Sequence, residues 1–534
     1  MRQWHHVTAK RLLFLGCSFG PGSRCIPPLL PLRPRRPLSQ LAFMQAESVP
    51  QQQQQRQKQQ QQRPQQRGLV GLPKGVQRGT ADSAFLRPGL LPLPCEDSGP
   101  FTVLGIETSC DDTGVAVVSS DGAILGEAIA SQAALHEEWG GVVPGLARDA
   151  HATALNATIA EALTRAGMRS AAEVDAIAVT VGPGLEICLR VGCEGAKALA
   201  LEHSKPFVGV HHLEAHVLMA RLAARASSTM AAASRGGGEA ADGGSGDEAA
   251  GAEQAACEVP FPFLTLLTSG GHCQLLLTHG VGRHEVLGST LDDALGEAFD
   301  KVARLLGLPI GGGGGPALEA LAREGEPSAL PLPVPMQRRK NLDFSFAGLK
   351  TAVRVAVERT PEETRSSRAF HADVAASFQH AAFSHLEQRL KYAFAYCDSL
   401  HQSPAADDGN APPAAAPPTD APAIRPRTLV VSGGVAANHE LRRRLQTLCD
   451  STPAPGSDSP WQLVLPPPRL CTDNGVMVAW AAVEALRLGR SHAADGQLVR
   501  ARWPLGRLVS DASSALPNGT PSKRPGLRKG TLAE

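Results

Sequence analysis

A repeated order of elements (strand, strand, strand, helix, strand, helix, strand, helix) restricts this 534-residue chain more than any single motif does. The first pass runs through "TVLGIETS", "TGVAVVSS" and "AILGEAIAS", a helix from about Ala147 to Ala166, and strand "AIAVTV". It ends with a helix from about Arg190, strand "FVGVHH" and a helix bearing histidines. The second pass runs through "FLTLLTS", "CQLLLTH", "HEVLGST" and helix "LGEAFDKVARLLG". After an interposed helical region come "TLVVSGG", a helix from Ala437, "QLVLP" and a last helix from Asp473. Apolar strands that hairpin and then alternate with helices predict mixed sheets covered by helices.

The expectation is therefore an α/β chain of two similar lobes with an interlobe cleft, the plan of the actin-like, sugar-kinase-like ATPase fold. Lobe one is expected over 101–223 and lobe two over 260–402 and 427–509. Between them lie an Ala/Gly/acidic insert, 224–259, and a Pro/Ala insert, 403–426, neither with an apolar period; both are expected to be disordered, as is the polar tail, 510–534. The net charge of +1 hides an uneven distribution. Residues 1–100 carry 14 Lys/Arg against 4 Asp/Glu, and the first acidic residue is Glu47. An Arg-rich, acid-free start is the composition of an organellar transit peptide, mitochondrial or alternatively plastid; a disordered basic extension is the plainer reading. The run "QQQQQRQKQQQQRPQQR" behind it is low-complexity. No apolar stretch reaches the roughly 18 residues of a membrane span. The 11 cysteines form no CxxC pair and no regular framework, as in a reducing compartment.

Equivalent positions of the two copies should face each other. The first-hairpin turns are "ETSCDDTG", Glu107 to Gly114, and "TSGGHC", Thr268 to Cys273. Small residues there let backbone N–H groups approach an anion. The elements after the fifth strands also correspond: lobe one supplies His212 and His216, spaced i, i+4 on one helix face, and lobe two supplies Asp473 in "LCTDNGVMVAW". Two imidazoles and a carboxylate with open positions suit zinc or non-haem Fe(II), one divalent ion per subunit. Taken singly, a surface His pair and an N-capping Asp would explain them; their matched placement favours a shared metal. A zinc peptidase is excluded. Its H-E-x-x-H glutamate lies about 100° from the first histidine, whereas Glu214 lies about 200° away and points off the histidine face. Asp300, in "GEAFDKVARLLGL", is positioned to accept from ribose hydroxyls, or to pair with Lys301 or Arg304. Asn438, after the strand and Gly-Gly turn of "VVSGGVAAN", offers a donor and an acceptor to a base or sugar.

Taken together, "VLGIETSCDDTGVAVV", "SQAALHEEWGGVVPGLARDAH", "GPGLEICLRVG", "HHLEAH", "TSGGHCQL", "TLDDALGEAFDKVARLLGLP", "FSFAGLKTAV", "VSGGVAANHELR" and "LCTDNGVMVAW" resemble one family in its own order. This is the TsaD-type tRNA N6-adenosine threonylcarbamoyltransferase family, and the likeness spans about Val103 to Gly489 apart from the inserts. With the presequence, the organellar branch matches best. The resemblance implies that His212, His216 and Asp473 are metal ligands and that Asp111 is an essential carboxylate near the reaction centre. It also implies that Thr268, Ser269, Gly270, Gly271 and His272 form a substrate loop, with Asp300, Gly315 and Asn438 lining an adenylate pocket. The implied reaction moves a threonylcarbamoyl group from threonylcarbamoyl-adenylate, made by a separate synthase, to N6 of adenosine 37 in tRNAs reading codons that begin with A. A homodimer is the implied assembly. Asp111 is the residue expected to act as general base. The sequence departs from the family pattern at Glu186–Cys188, at Cys273, in "IGGGGG" and in "FSFAG", which bears on pocket shape.

Basic residues expected to meet tRNA are Arg338, Arg339 and Lys340, Lys350 and Arg354, and Arg442, Arg443 and Arg444. A small-molecule kinase of the same fold, which would not need the His pair, and a catalytically silent paralogue are the alternatives.

Overall fold

The computed structural model describes residues 91–94, 96, 99–222, 259–310, 313–400, 425–455, 457, 459–509 and 519. The expected transit and Gln-rich segment before residue 91, nearly all of both inserts and all of the tail but residue 519 lie outside the described residues.

Two sheets carry the fold. The first contains β1 (Thr102–Glu107), β2 (Asp112–Ser119), β3 (Ile124–Ser131), β4 (Ala176–Gly182) and β5 (Phe207–His211), in the order β3-β2-β1-β4-β5. The second contains β6 (Phe263–Thr268), β7 (Cys273–Gly280), β8 (Arg283–Ser289), β9 (Thr428–Ser432), β10 (Gln462–Val464) and β11 (Arg507–Leu508), in the order β10-β9-β6-β7-β8-β11. β1–β2–β3 and β6–β7–β8 are antiparallel meanders; β1–β4–β5 and β6–β9–β10 pair in parallel. Each sheet is thus a meander extended by parallel crossover strands, and the chain builds it twice. This is the duplicated mixed-sheet plan of the actin-like, sugar-kinase-like fold.

The helices are α1 (Ala133–Glu137), α2 (Pro144–Arg165), α3 (Glu186–Glu202), α4 (residues 212–222), α5 (Leu295–Leu305) and α6 (Gly315–Ala322). They continue with α7 (Ala347–Arg359), α8 (Glu362–Arg365), α9 (Arg368–Ser399), α10 (His439–Asp450) and α11 (Gly475–Arg487). α2 and α3 start three and four residues earlier than expected, at Pro144 and Glu186. Pro144 suits a first turn, where its missing N–H is no loss. α10 starts later, because residues Gly434–Ala437 form a 3-10 turn and the Asn438 side chain caps the helix by accepting from Leu441 N at 2.9 Å.

The two closing helices pack on the sheets and on each other. α11 follows the second sheet in the chain yet lies on the first, its Val476–Val483 stretch buried with Val103, Ala116, Val118 and Ala178. α4 follows the first sheet, and its Leu213, Val217 and Ala220 are buried against Phe263, Leu267, Leu276 and Val430 of the second. Its Ala215, Leu218, Met219 and Leu222 join the α11 cluster. Apolar residues all around α4 follow from that double burial. α11 approaches very closely: a Cβ on Gly105 would fall 2.3 Å from Ala479 N, and one on Gly475 2.4 Å from Ala116 N. The contact exists because both positions are glycine. A buried ion pair, Arg221 Nε to Glu484 Oε1 at 2.9 Å, ties the two helices together.

Candidate metal centre

The same crossing brings the N-terminal ends of α4 and α11 together. In "VHHLEAH" the two adjacent histidines separate their tasks. His211 Nδ1 accepts from Leu213 N at 3.1 Å, satisfying one of the free amides at the start of α4. His212 and His216, one turn apart, stack edge to face with ring centroids 4.9 Å apart. At the other end, Asn474 caps α11 by accepting from Met477 N at 2.9 Å. Asp473 is therefore not the cap, and its carboxylate is left for the histidines.

His216 Nε2 lies 3.0 Å and His212 Nε2 3.6 Å from Asp473 Oδ1. One ligand atom from each of the three residues lies within 4.8 Å of the others. Ligands held about 2.0–2.2 Å from a zinc-sized ion stand roughly 3–3.5 Å apart, so the set fits such an ion with modest adjustment. His212 Nδ1 is 3.1 Å from Glu107 Oε2, so this ring donates through Nδ1 and leaves Nε2, on the Asp473 side, as the nitrogen that a metal would take. Glu107, fully buried at the end of β1, is itself held by Thr180 Oγ1 and Ser109 N, both at 2.5 Å. Ser109 Oγ also reaches His212 Nδ1 at 3.1 Å. From the second sheet, Ser432 Oγ donates to the His216 carbonyl at 2.6 Å.

The electrostatics suit a cation. Burial alone would lower His212, but the Asp473 and Glu107 carboxylates drive it up to about 9. Burial would raise Asp473, yet His212 and His216 hold it far below the usual carboxylate range. Glu107 is likewise lowered, burial being outweighed by His212. His272, in the second-sheet turn, is lowered to about 4 by burial with His212 and His216 alongside.

The remaining candidates sort by element. Asp111 is half-buried in the β1–β2 turn, two residues from Ser109. Thr268 is buried at the end of β6. Ser269 closes its turn by accepting from His272 N at 3.1 Å through Oγ. At Gly270 and Gly271 a Cβ would meet nothing within 4 Å, so neither packing nor a positive φ demands glycine there. Gly433, at φ +93°, packs on this turn: a Cβ there would sit 2.3 Å from Thr268 O. Asp300 pairs with neither Lys301 nor Arg304. Its Oδ1 accepts from Gly314 N at 2.7 Å, at the start of α6, and burial raises its pKa despite that bond. Gly315 opens α6 with free space around its Cα. Asn438, besides capping α10, donates to Gln379 Oε1 at 3.0 Å, which leaves one N–H and one lone pair on its amide for anything else.

Glu214 is turned away from the histidine face, as its angle requires, and accepts from His284 Nε2 at 2.8 Å and Gly282 N on the second sheet. Glu107 was missed as a functional residue. The signal available was its place at the strand end, in the position matched by Thr268 of the second copy.

The sequence profile of the TsaD family, tRNA N6-adenosine threonylcarbamoyltransferase, matches residues 123–239 and 248–480. A relative from Arabidopsis thaliana, named a probable mitochondrial tRNA N6-adenosine threonylcarbamoyltransferase, is 40% identical over 434 residues, covering 78% of each chain. One from Granulibacter bethesdensis, named tRNA N6-adenosine threonylcarbamoyltransferase, is 43% identical over 410 residues, 77% of this chain and 95% of that one. Among solved structures, T. kodakarensis HypF aligns over 75% of this chain and 50% of its own, at 14% identity and a TM-score of 0.40. With the profile matched over more than half of the chain, and with relatives 40% and 43% identical over most of their own length, the chain belongs to the TsaD family of tRNA N6-adenosine threonylcarbamoyltransferases.

Proposed function

We propose that this chain transfers the threonylcarbamoyl group from threonylcarbamoyl-adenylate to N6 of adenosine 37 in tRNAs that read codons beginning with A. The observation carrying this reading is the meeting of His212, His216 and Asp473 beside the Ser269–His272 turn in a member of the TsaD family. The three side chains would hold one divalent ion, zinc or iron, through His212 Nε2, His216 Nε2 and the Asp473 carboxylate. When bound, such an ion supplies Lewis-acid polarisation and a template for the acyl and phosphate oxygens.

The chain's own groups do the rest. Glu107 fixes the His212 tautomer. Gly270 and Gly271 leave room for a phosphate to approach the turn amides, which favour the charge that AMP carries away. His272, neutral above pH 4, offers a ring nitrogen without adding positive charge. Asp300, Gly315 at the start of α6, and the spare amide groups of Asn438 are assigned to the adenylate. As N6 bonds to the carbamoyl carbon and the bond to the adenylate phosphate oxygen breaks, N6 sheds one proton, and Asp111 is assigned to take it. The adenylate arrives from a separate synthase, the protein acts as a homodimer, and it works in the mitochondrion. Among the described residues no helix is long and apolar enough to cross a membrane.

The test incubates purified protein with synthetic threonylcarbamoyl-adenylate and unmodified tRNA, then analyses the nucleosides. The modified adenosine should form, and His212→Ala should abolish it. Phosphorylation of a small metabolite from ATP, with no modified nucleoside, would overturn the reading.

A further inference from the structure

The structure sorts seven of the eight basic residues expected to meet RNA, all but Lys340. Arg443 pairs with Glu440, Arg444 with Glu387, Lys350 with Asp293 and Arg354 with Glu358. Arg442 donates to the carbonyls of Ala436 and Pro466, bracing the turn before α10. Arg338 and Arg339 differ: among the described residues neither makes an ion pair, and Arg338 is exposed.

Their turn is fixed from beneath. Arg389 on α9 is fully buried, and its Nη1 donates to Arg339 O at 2.7 Å and Asn341 O at 2.6 Å. Nη2 donates to Met336 O at 2.8 Å, and neighbouring Gln388 donates to Gln337 O at 3.0 Å. Met336 is held at φ +49°, a left-handed conformation unfavourable for a residue with a side chain. A buried cation and a strained residue are thus both committed to one surface turn whose outer face is basic. Charges that serve only solubility need no such scaffold, and strain of this kind points toward function. The segment continues to Phe344, whose N–H donates to Ser289 O at 3.1 Å and whose carbonyl accepts from Leu291 N at 2.9 Å. Residues 289–293 lead straight into α5, which carries Asp300. The turn is therefore tied to the backbone that positions the candidate nucleotide pocket.

We propose that the Met336–Lys340 turn docks the phosphate backbone of the tRNA, with Arg338 and Arg339 as its contacts. Two guanidinium groups on a rigid turn match phosphate oxygens in pairs. The inference rests on the tRNA reading above and assigns it a surface.

The test measures binding of unmodified tRNA to the full chain from 50 to 300 mM KCl, for wild type, Arg338→Gln/Arg339→Gln, and a charge-matched control, Arg169→Gln/Arg190→Gln. Each lost phosphate contact flattens the plot of log K against log salt by about 0.7–0.9. The turn variant should therefore lose about 1.4–1.8 of slope, and roughly 10-fold or more in affinity at 100 mM salt, while the control keeps the wild-type slope. An unchanged slope in the turn variant, an equal loss in the control, or a loss on phosphatidylserine vesicles with none on tRNA overturns the assignment alone. Wild type that binds no tRNA at all overturns the functional reading with it.

Discussion

Glu107 takes no position among the three proposed ligands, yet it decides which nitrogen of His212 faces them. Its Oε2 stands 3.1 Å from Nδ1, and with Thr180 and Ser109 bonded to the same carboxylate it has little freedom to leave. Carboxylates in this relation to a ligand histidine typically contribute 10–100-fold to metal affinity. Glu107→Gln retains an acceptor for Nδ1–H but loses the charge. It is expected to weaken zinc or iron binding about 10- to 100-fold in chelator competition, with an unfolding temperature close to wild type. An unchanged affinity would remove Glu107 from the site. The histidines and Asp473 were legible because repeat symmetry ties distant positions together. Glu107 was not, since a carboxylate at a strand end reads as an ordinary turn residue until its partner across the sheet is known. Asn474 was also hidden: Asp and Asn both cap helices, and only the structure shows which one does.

At the scale of elements, the glycines distinguish space kept for the chain from space kept for something else. A Cβ on Gly475 would collide with the Val115–Ala116 backbone, so Gly475→Ala must lift α11 from β1 and β2. Overpacking of this kind costs about 1–3 kcal/mol, and Asp473, two residues upstream, would move with the helix. A lower melting temperature and weaker metal binding are expected together. Gly270→Ala and Gly271→Ala meet no neighbour; both should melt like wild type yet raise the KM for the adenylate. Melting of the Gly270 variant below that of Gly475→Ala would reverse this distinction.

α9 carries a further element-scale consequence. His385 is fully buried among Phe344 and Phe346 and takes Ser345 N–H on Nε2 at 3.3 Å. Burial, reinforced by Arg389, lowers it to about 3. Below its ordinary pKa of 6.5 the unfolded chain takes up a proton that the folded chain refuses. Stability present at neutral pH is then lost as pH falls from 6.5 toward 3, by up to about 1.4 kcal/mol per pH unit. Between pH 7 and 5, His385→Gln should lose about 2 kcal/mol less stability than wild type in urea unfolding. Equal losses would show that the acid sensitivity lies elsewhere.

Across the whole molecule, the doubled order of strands and helices was readable because hydrophobic period and turn residues are local. Which sheet each closing helix packs on was not. That depends on Gly105 and Gly475 letting α11 lie against β1, and on α4 being apolar around its circumference, neither of which names a partner in advance. The crossing has a thermodynamic consequence. α4 brings His212 and His216 while buried on the second sheet, and α11 follows Asp473 while buried on the first. An ion shared by the three would therefore clasp the two halves, and its binding energy would count toward the stability of both. Binding to the folded state alone stabilises by RT ln(1 + [L]/Kd), about 4 kcal/mol at a thousandfold excess over Kd. Chelation should consequently lower the melting temperature of the whole protein as one transition, and re-addition of zinc or iron should restore it. Asp473→Asn should melt like the chelated wild type and show little response to chelator. A melting temperature indifferent to chelation, or loss of only one of two separate transitions, would mean that the metal does not join the halves.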